Sequence, residues 1–78
     1  MAKVTIYSTP TCVYCKMAKE FFAQNKIPYK ERDVAADESA RNEMFAKSHQ
    51  MGVPVIDIDG KIIVGFDKKT LEEALGIK

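Results

Sequence analysis

From residue 3 the chain reads KVTIYS, β-branched and aromatic residues over a strand's length, halted at Thr9-Pro10, where a proline cannot continue a central ladder. This pattern predicts a first strand over Lys3 to Tyr7. Thr11 is then placed to cap a helix beginning near Cys12, in which Val13, Met17 and Phe21, with Ala18 and Phe22, recur at helical spacing. Lys16, Lys19 and Glu20 fall on the wet side of that helix.

The period breaks at NKIP, and YKERDV (29–34) predicts a second strand, joined to the first through the helix in a right-handed β-α-β unit. Asp37 can cap a second helix running to about Ser48, with Ala40, Met44 and Phe45 as its apolar positions and Gly52 beyond its end. VPVIDID and GKIIVGF then read as two short antiparallel strands around Asp59-Gly60, a dipeptide suited to a tight hairpin. Asp67 begins a last helix over Lys68 to Leu75, with Leu71, Ala74 and Leu75 facing in and Gly76 ending it. The expected order is β-α-β-α-β-β-α. It fits one α/β domain over residues 1–78, built on a four-stranded mixed sheet with helices covering it.

Composition narrows the function classes. The 78 residues are 46% apolar and 29% charged, as in a compact globule that folds alone. The net charge of +1 offers no field to hold a nucleic-acid backbone or an anionic membrane, so neither is expected as a partner. Residues 1–32 carry six Lys/Arg against two Glu, whereas residues 33–60 carry two against six acids, so a site in the first segment would be mildly positive. Neither a signal peptide nor a membrane span is seen, and the expected location is the cytoplasm.

In a reducing compartment a cysteine pair serves catalysis or metal binding more often than as a permanent staple. Cys12 and Cys15 are the only cysteines, and a loop this short would constrain the unfolded chain little. The two intervening residues put the thiols on one helical turn, within bridging reach. At the helix start, Cys12 faces the N–H groups of Tyr14 and Cys15 and the positive end of the helix dipole, which favour its thiolate and make it the nucleophile. Cys15, one turn in, is placed to attack a mixed disulfide formed on Cys12. The alternatives are two ordinary buried thiols or half of a metal site. With a single His, His49 at the end of the second helix, the chain lacks the four ligands of a structural zinc site, and no metal ligands are assigned.

The strand, CVYC, GVP and VGFD together resemble the glutaredoxin family over essentially the whole chain, and within it the small bacterial glutaredoxin-like redoxins. The resemblance implies a thioredoxin fold and a thiol–disulfide oxidoreductase, with Cys12 and Cys15 catalytic. It also implies a cis bond before Pro54, Val53 offering its backbone to an extended thiol substrate, and glutathione contacts from Thr11, Val13, Tyr14, Gln50, Gly65, Phe66 and Asp67. Of these, Gly65 to Asp67 would receive the γ-glutamyl carboxylate at a helix N-terminus. Glutathione is then a co-substrate, and no tightly bound cofactor is expected. The partner would be a disulfide-bearing reductase of the ribonucleotide reductase or methionine sulfoxide reductase type, and the expected state is a monomer. Four positions depart from the glutathione-binding pattern: Val13 replaces a common proline, Thr9 a basic residue, Gly52 a threonine and Lys68 an acid. GVPVIDIDG and GFD also resemble the redoxins recharged by thioredoxin reductase, which is the alternative donor; in another class stands an iron–sulfur or metal carrier binding through Cys12 as a dimer, as some glutaredoxins do, against which the dithiol motif argues.

Overall fold

The structure, a computed structural model, describes residues 3–77. Its elements follow the predicted order: β1 (Val4–Ser8), α1 (Val13–Gln24), β2 (Lys30–Asp33), α2 (Glu38–Ser48), β3 (Val55–Ile58), β4 (Lys61–Val64) and α3 (Lys68–Leu75). The strands lie in the order β2-β1-β3-β4. β1 runs parallel to β2, and β3 is antiparallel to both β1 and β4. The β3–β4 turn is made by Asp59 and Gly60 with φ of 52° and 92°, a positive pair that suits the twist of a two-residue hairpin. Asp57 and Asp59 hold the turn by accepting the N–H groups of Gly60 and Lys3, at 2.7 and 2.8 Å.

Alternation along the strands sends successive side chains to opposite faces and so divides the core. Val4 and Ile6 of β1, Ile56 and Ile58 of β3 and Ile63 of β4 pack with Ala18, Phe21 and Phe22 of α1 and Leu71 of α3. On the other face Tyr7 and Val55 pack with Val34 and with Ala40 and Met44 of α2. Ala74 and Leu75 lie partly buried against the first cluster, as the periodicity of α3 predicts.

Two helical faces differ from the sequence-based expectation. Val13 and Met17 are exposed, while Cys15 is wholly buried beside Ala18 and Phe22. At about 100° per residue, Phe21, Ala18, Phe22 and Cys15 share one arc, and Val13 and Met17 fall beyond its edge. In α2, Phe45 is half exposed, because Ala40 and Met44 already occupy the face toward the sheet.

Polar contacts supply the rest of the attachment of α2. The Tyr7 hydroxyl, on a wholly buried side chain, donates to Glu43 and accepts from Lys47 Nζ at 3.1 Å. Lys47 also meets Asp57 of β3 at 2.7 Å, and Arg32 of β2 reaches Glu43 at 3.3 Å and Asp37 at 3.7 Å. Burial, followed by the bond to Glu43, raises the Tyr7 phenol above its ordinary value. The same bond, followed by the Arg32 charge, holds Glu43 below the usual carboxylate range. Glu31 is also held low, first by Lys19 and then by Ser8.

Two outcomes follow from this packing. Phe22→Ala should cost about 3–5 kcal/mol in urea unfolding, the usual price of emptying an aromatic site in a core, whereas Val13→Ala should stay within about 0.5 kcal/mol. Comparable losses would mean that α1 is rotated differently. The pH dependence follows from the depressed carboxylates. Below about pH 4.3, the ordinary Glu value, the unfolded chain takes up protons that the folded chain refuses. Stability should therefore be fully present above that pH and fall as the pH drops through the lower folded values. Urea midpoints taken from about pH 5 to 3 should fall less steeply for Glu43→Gln than for the wild type; parallel curves would show that Glu43 is not part of the acid limb.

Candidate active site

Strand register gathers three loops at one end of the sheet. Tyr7 of β1 stands opposite Val55, and Val55 stands opposite Val64. The loop leaving Ser8 toward the cysteines, the Val53–Pro54 segment entering β3 and the Gly65–Asp67 segment leaving β4 therefore share that edge. The Gly65 N–H donates to the Pro54 carbonyl at 2.7 Å and joins the last two. The Val53–Pro54 peptide is cis, as the resemblance implies, and Pro54 is fully buried at the head of an inner strand.

Cys12 is itself the N-cap of α1. Its backbone is extended, with φ −86° and ψ 113°, and its Sγ accepts the Cys15 N–H at 3.1 Å. This corrects the expectation that Thr11 caps the helix: Thr11 lies exposed in the preceding loop, one residue too early to meet a second- or third-position N–H. The loop is closed by the Cys12 N–H on the Thr9 carbonyl at 3.3 Å. Cys12 and Cys15 are joined as a disulfide, with Cα atoms 5.2 Å apart. Cys15 is wholly buried and Cys12 partly exposed, so an incoming molecule meets only the first sulfur. The first turn of α1 carries no acidic residue to oppose a negative sulfur.

Around the pair the candidate residues differ in what they offer. Val13 and Tyr14 project into solvent, exposed by 69% and 62%. Gly65 has φ of 86°, and Phe66 packs edge-on against Phe21, with centroids 6.1 Å apart. Asp67 caps α3 by accepting the Thr70 N–H at 3.2 Å and its hydroxyl at 2.8 Å, and these bonds hold its carboxyl below the usual range.

Gln50 is turned onto its own loop rather than outward. Its amide oxygen accepts the Gly52 N–H at 2.6 Å, and its nitrogen donates to the Gly52 carbonyl and the Ser48 hydroxyl. Gly52 makes room for this, since a Cβ there would stand 2.7 Å from that oxygen. His49 is exposed and ends α2 in the left-handed region, with φ of 59°. Among the described residues no group of three His, Cys, Asp or Glu side chains is placed to hold a metal ion, and no helix is long and apolar enough to cross a membrane.

A support that the sequence did not disclose lies behind the cysteine loop. Ser8, buried at the end of β1, donates to Glu31 at 2.9 Å, and Glu31 also receives Lys19 of α1 at 2.7 Å. This group ties the base of the loop to β2 and α1 across 23 residues of sequence, a distance at which no local pattern signals it.

An N-cap sulfur that accepts a backbone N–H at a helix start favours thiolate over thiol. In the reduced protein, the pH profile of iodoacetamide alkylation should give Cys12 a pKa below the free-thiol value of about 8.5, with Cys15 reacting far more slowly. A Cys12 titrating at or above that value would remove the capping argument.

A family model for glutaredoxin matches residues 4–63. The chain is 47% identical over 72 residues to a glutaredoxin-like 8.6 kDa protein in the rubredoxin operon of Clostridium pasteurianum, covering 92% of this chain and 96% of that one. It is 34% identical to glutaredoxin 3 of Escherichia coli K12, covering 97% and 92% of the two chains. Among solved structures, the crystal structure of a point mutant of a thioredoxin-like protein superposes with a TM-score of 0.92 at 35% identity over 100% of both chains. The fold is thus thioredoxin-like, and the bridged cysteines lie within the matched segment. Shared over this length, sequence, fold and cysteine pair make the chain a member of the glutaredoxin family, a thiol–disulfide oxidoreductase of the thioredoxin superfamily.

Proposed function

We propose that the chain is a dithiol redoxin that draws electrons from glutathione and delivers them to protein disulfides or glutathione mixed disulfides. The observation that carries this reading is the unequal burial of two bridged sulfurs, Cys12 partly open and Cys15 closed. Cys12 as thiolate attacks one sulfur of the substrate disulfide, forming a mixed disulfide and releasing the other sulfur as a thiolate that takes up a proton. Cys15 then loses its proton and attacks Cys12 Sγ, so the Cys12–Cys15 bond forms and the second substrate thiol leaves. Two electrons and two protons pass to the substrate, and glutathione restores the dithiol by the reverse exchange.

Glutathione would lie along Val53–Pro54, with Thr11, Val13 and Tyr14 at the cysteine end and its γ-glutamyl carboxylate at the N–H groups that open α3 beyond Gly65, Phe66 and Asp67. It acts as a co-substrate, with no resident cofactor. The client would be a reductase of the ribonucleotide reductase or methionine sulfoxide reductase type, which ends each turnover with a disulfide of its own. A second reading, recharging by thioredoxin reductase, is favoured by one feature. Gln50, expected among the glutathione contacts, is occupied with Gly52 and Ser48.

Supplying NADPH with either glutathione plus glutathione reductase or thioredoxin reductase should distinguish the donors, with the glutathione system the faster. A chain reduced only by thioredoxin reductase would establish the second reading. Cys12→Ser should abolish both activities. Cys15→Ser should keep deglutathionylation, in which a second glutathione can release the product, and lose most protein-disulfide reduction. Equal loss of both in Cys15→Ser would mean that the dithiol cycle carries all turnover.

A further inference from the structure

Cys12 also lines a depression whose wall includes none of Val53, Pro54 and Asp67. This depression, of about 330 Å³, runs along Thr9 to Val13 and is closed by Lys16 and Lys19. Cys12 belongs to its wall, and no carboxylate does. Two other depressions differ in this respect: Glu20 lines one together with Lys68, and Glu43, Asp57 and Asp59 line the basin beside α2 together with its cations.

The two lysines are not equivalent. Lys19 is neutralised by Glu31 at 2.7 Å and is held in place by it. Among the described residues no carboxylate lies within ion-pair distance of Lys16, which is exposed on the turn that carries Cys15. Its backbone N–H meets the Cys12 carbonyl at 3.2 Å, so the base of the side chain is fixed relative to the reacting sulfur. The hydroxyls of Thr9 and Thr11 add neutral donors along the same wall.

We propose that this depression is a charge-selective docking site for the client polypeptide, and that Lys16 selects disulfides with an acidic side chain beside the attacked cysteine. The inference rests on the exchange chemistry of the previous section. A polypeptide joined to Cys12 must leave the sulfur in two directions. With one arm along Val53–Pro54, the other crosses the Thr9–Val13 loop and brings its next side chain to Lys16. Lys16 then acts through encounter and orientation and takes no part in the electron transfer, which remains the two-step exchange between Cys12, Cys15 and the client disulfide. An exposed ammonium paired with a carboxylate steers partners more than it tightens them, and salt screens it.

The test uses the reduced full chain and two oxidised peptides, identical except for Asp or Asn beside each cysteine, with peptide thiol release followed by rapid mixing. At low ionic strength the wild type should reduce the Asp peptide about two- to fivefold faster than the Asn peptide, the range of an exposed ion pair. The preference should fall to about one in Lys16→Gln and at roughly 0.5 M salt, and should return in Lys16→Arg. Lys30→Gln, which removes the same charge on the α2 face, should keep it. Because the readout is a ratio, a change in Cys12 reactivity moves both rates together and leaves it untouched. A wild-type ratio of one, or a ratio unchanged in Lys16→Gln, overturns the proposal while the exchange chemistry stands. Failure to reduce either peptide overturns protein-disulfide reduction itself, and this inference with it.

Discussion

The antiparallel pairing of β3 with β1 is the constraint on which the site depends. Its register sets Val55 against Tyr7, and therefore Pro54 beside the end of β1, from which the cysteine loop departs. The hairpin extends the same alignment to Val64, so the Gly65–Asp67 turn arrives at that edge. A slip of one residue would move every β3 side chain to the opposite face, exchanging Val55 for Ile56 between two clusters that are both closed. The two-sided core thus holds the site in place as well as stabilising the fold.

Within that frame, α1 converts a local capping arrangement into chemical asymmetry. A cysteine at the N-cap offers sulfur where serine or aspartate usually offers oxygen, and the hydrogen bond it accepts from Cys15 favours the charged form of the sulfur at the open position. The following turn carries Cys15 into the core beside Ala18 and Phe22, which leaves the second sulfur reachable only from the first. Two sulfurs of the same residue type thereby acquire different exposure within four residues. The exposed Val13 and Tyr14 beside them present apolar surface at the mouth of the site.

The two faces of the sheet are covered by different means. α1 and α3 bring a continuous apolar cluster to one face, whereas α2 contributes two buried residues to the other and relies on Tyr7, Arg32, Glu43, Lys47 and Asp57 for the rest. A buried phenol needs a partner for its hydroxyl, and Glu43 and Lys47 on successive turns of α2 supply an acceptor and a donor. Lys47 and Glu43 remain partly in water while Asp57 is largely covered, and the effect of these ion pairs on stability depends on pH and salt.

Features encoded by adjacent residues were legible in the sequence. Asp37 and Asp67 cap the helices they were expected to cap, Asp59-Gly60 makes the hairpin, Gly76 ends α3 in the left-handed region, and Cys12 and Cys15 are spaced for bridging. Each depends on a backbone group or a thiol within a few positions, so the residue types alone determine the outcome. The rotation of α1 was not legible, because apolar residues fill two adjoining stripes and only the sheet decides which is buried, leaving Val13 and Met17 outside. Phe45, the Tyr7 network and the Ser8–Glu31–Lys19 support were decided at the same level. Helix packing or partners 10 to 40 residues away determine them, and a local pattern carries no information about such contacts until strand pairing has closed the intervening chain.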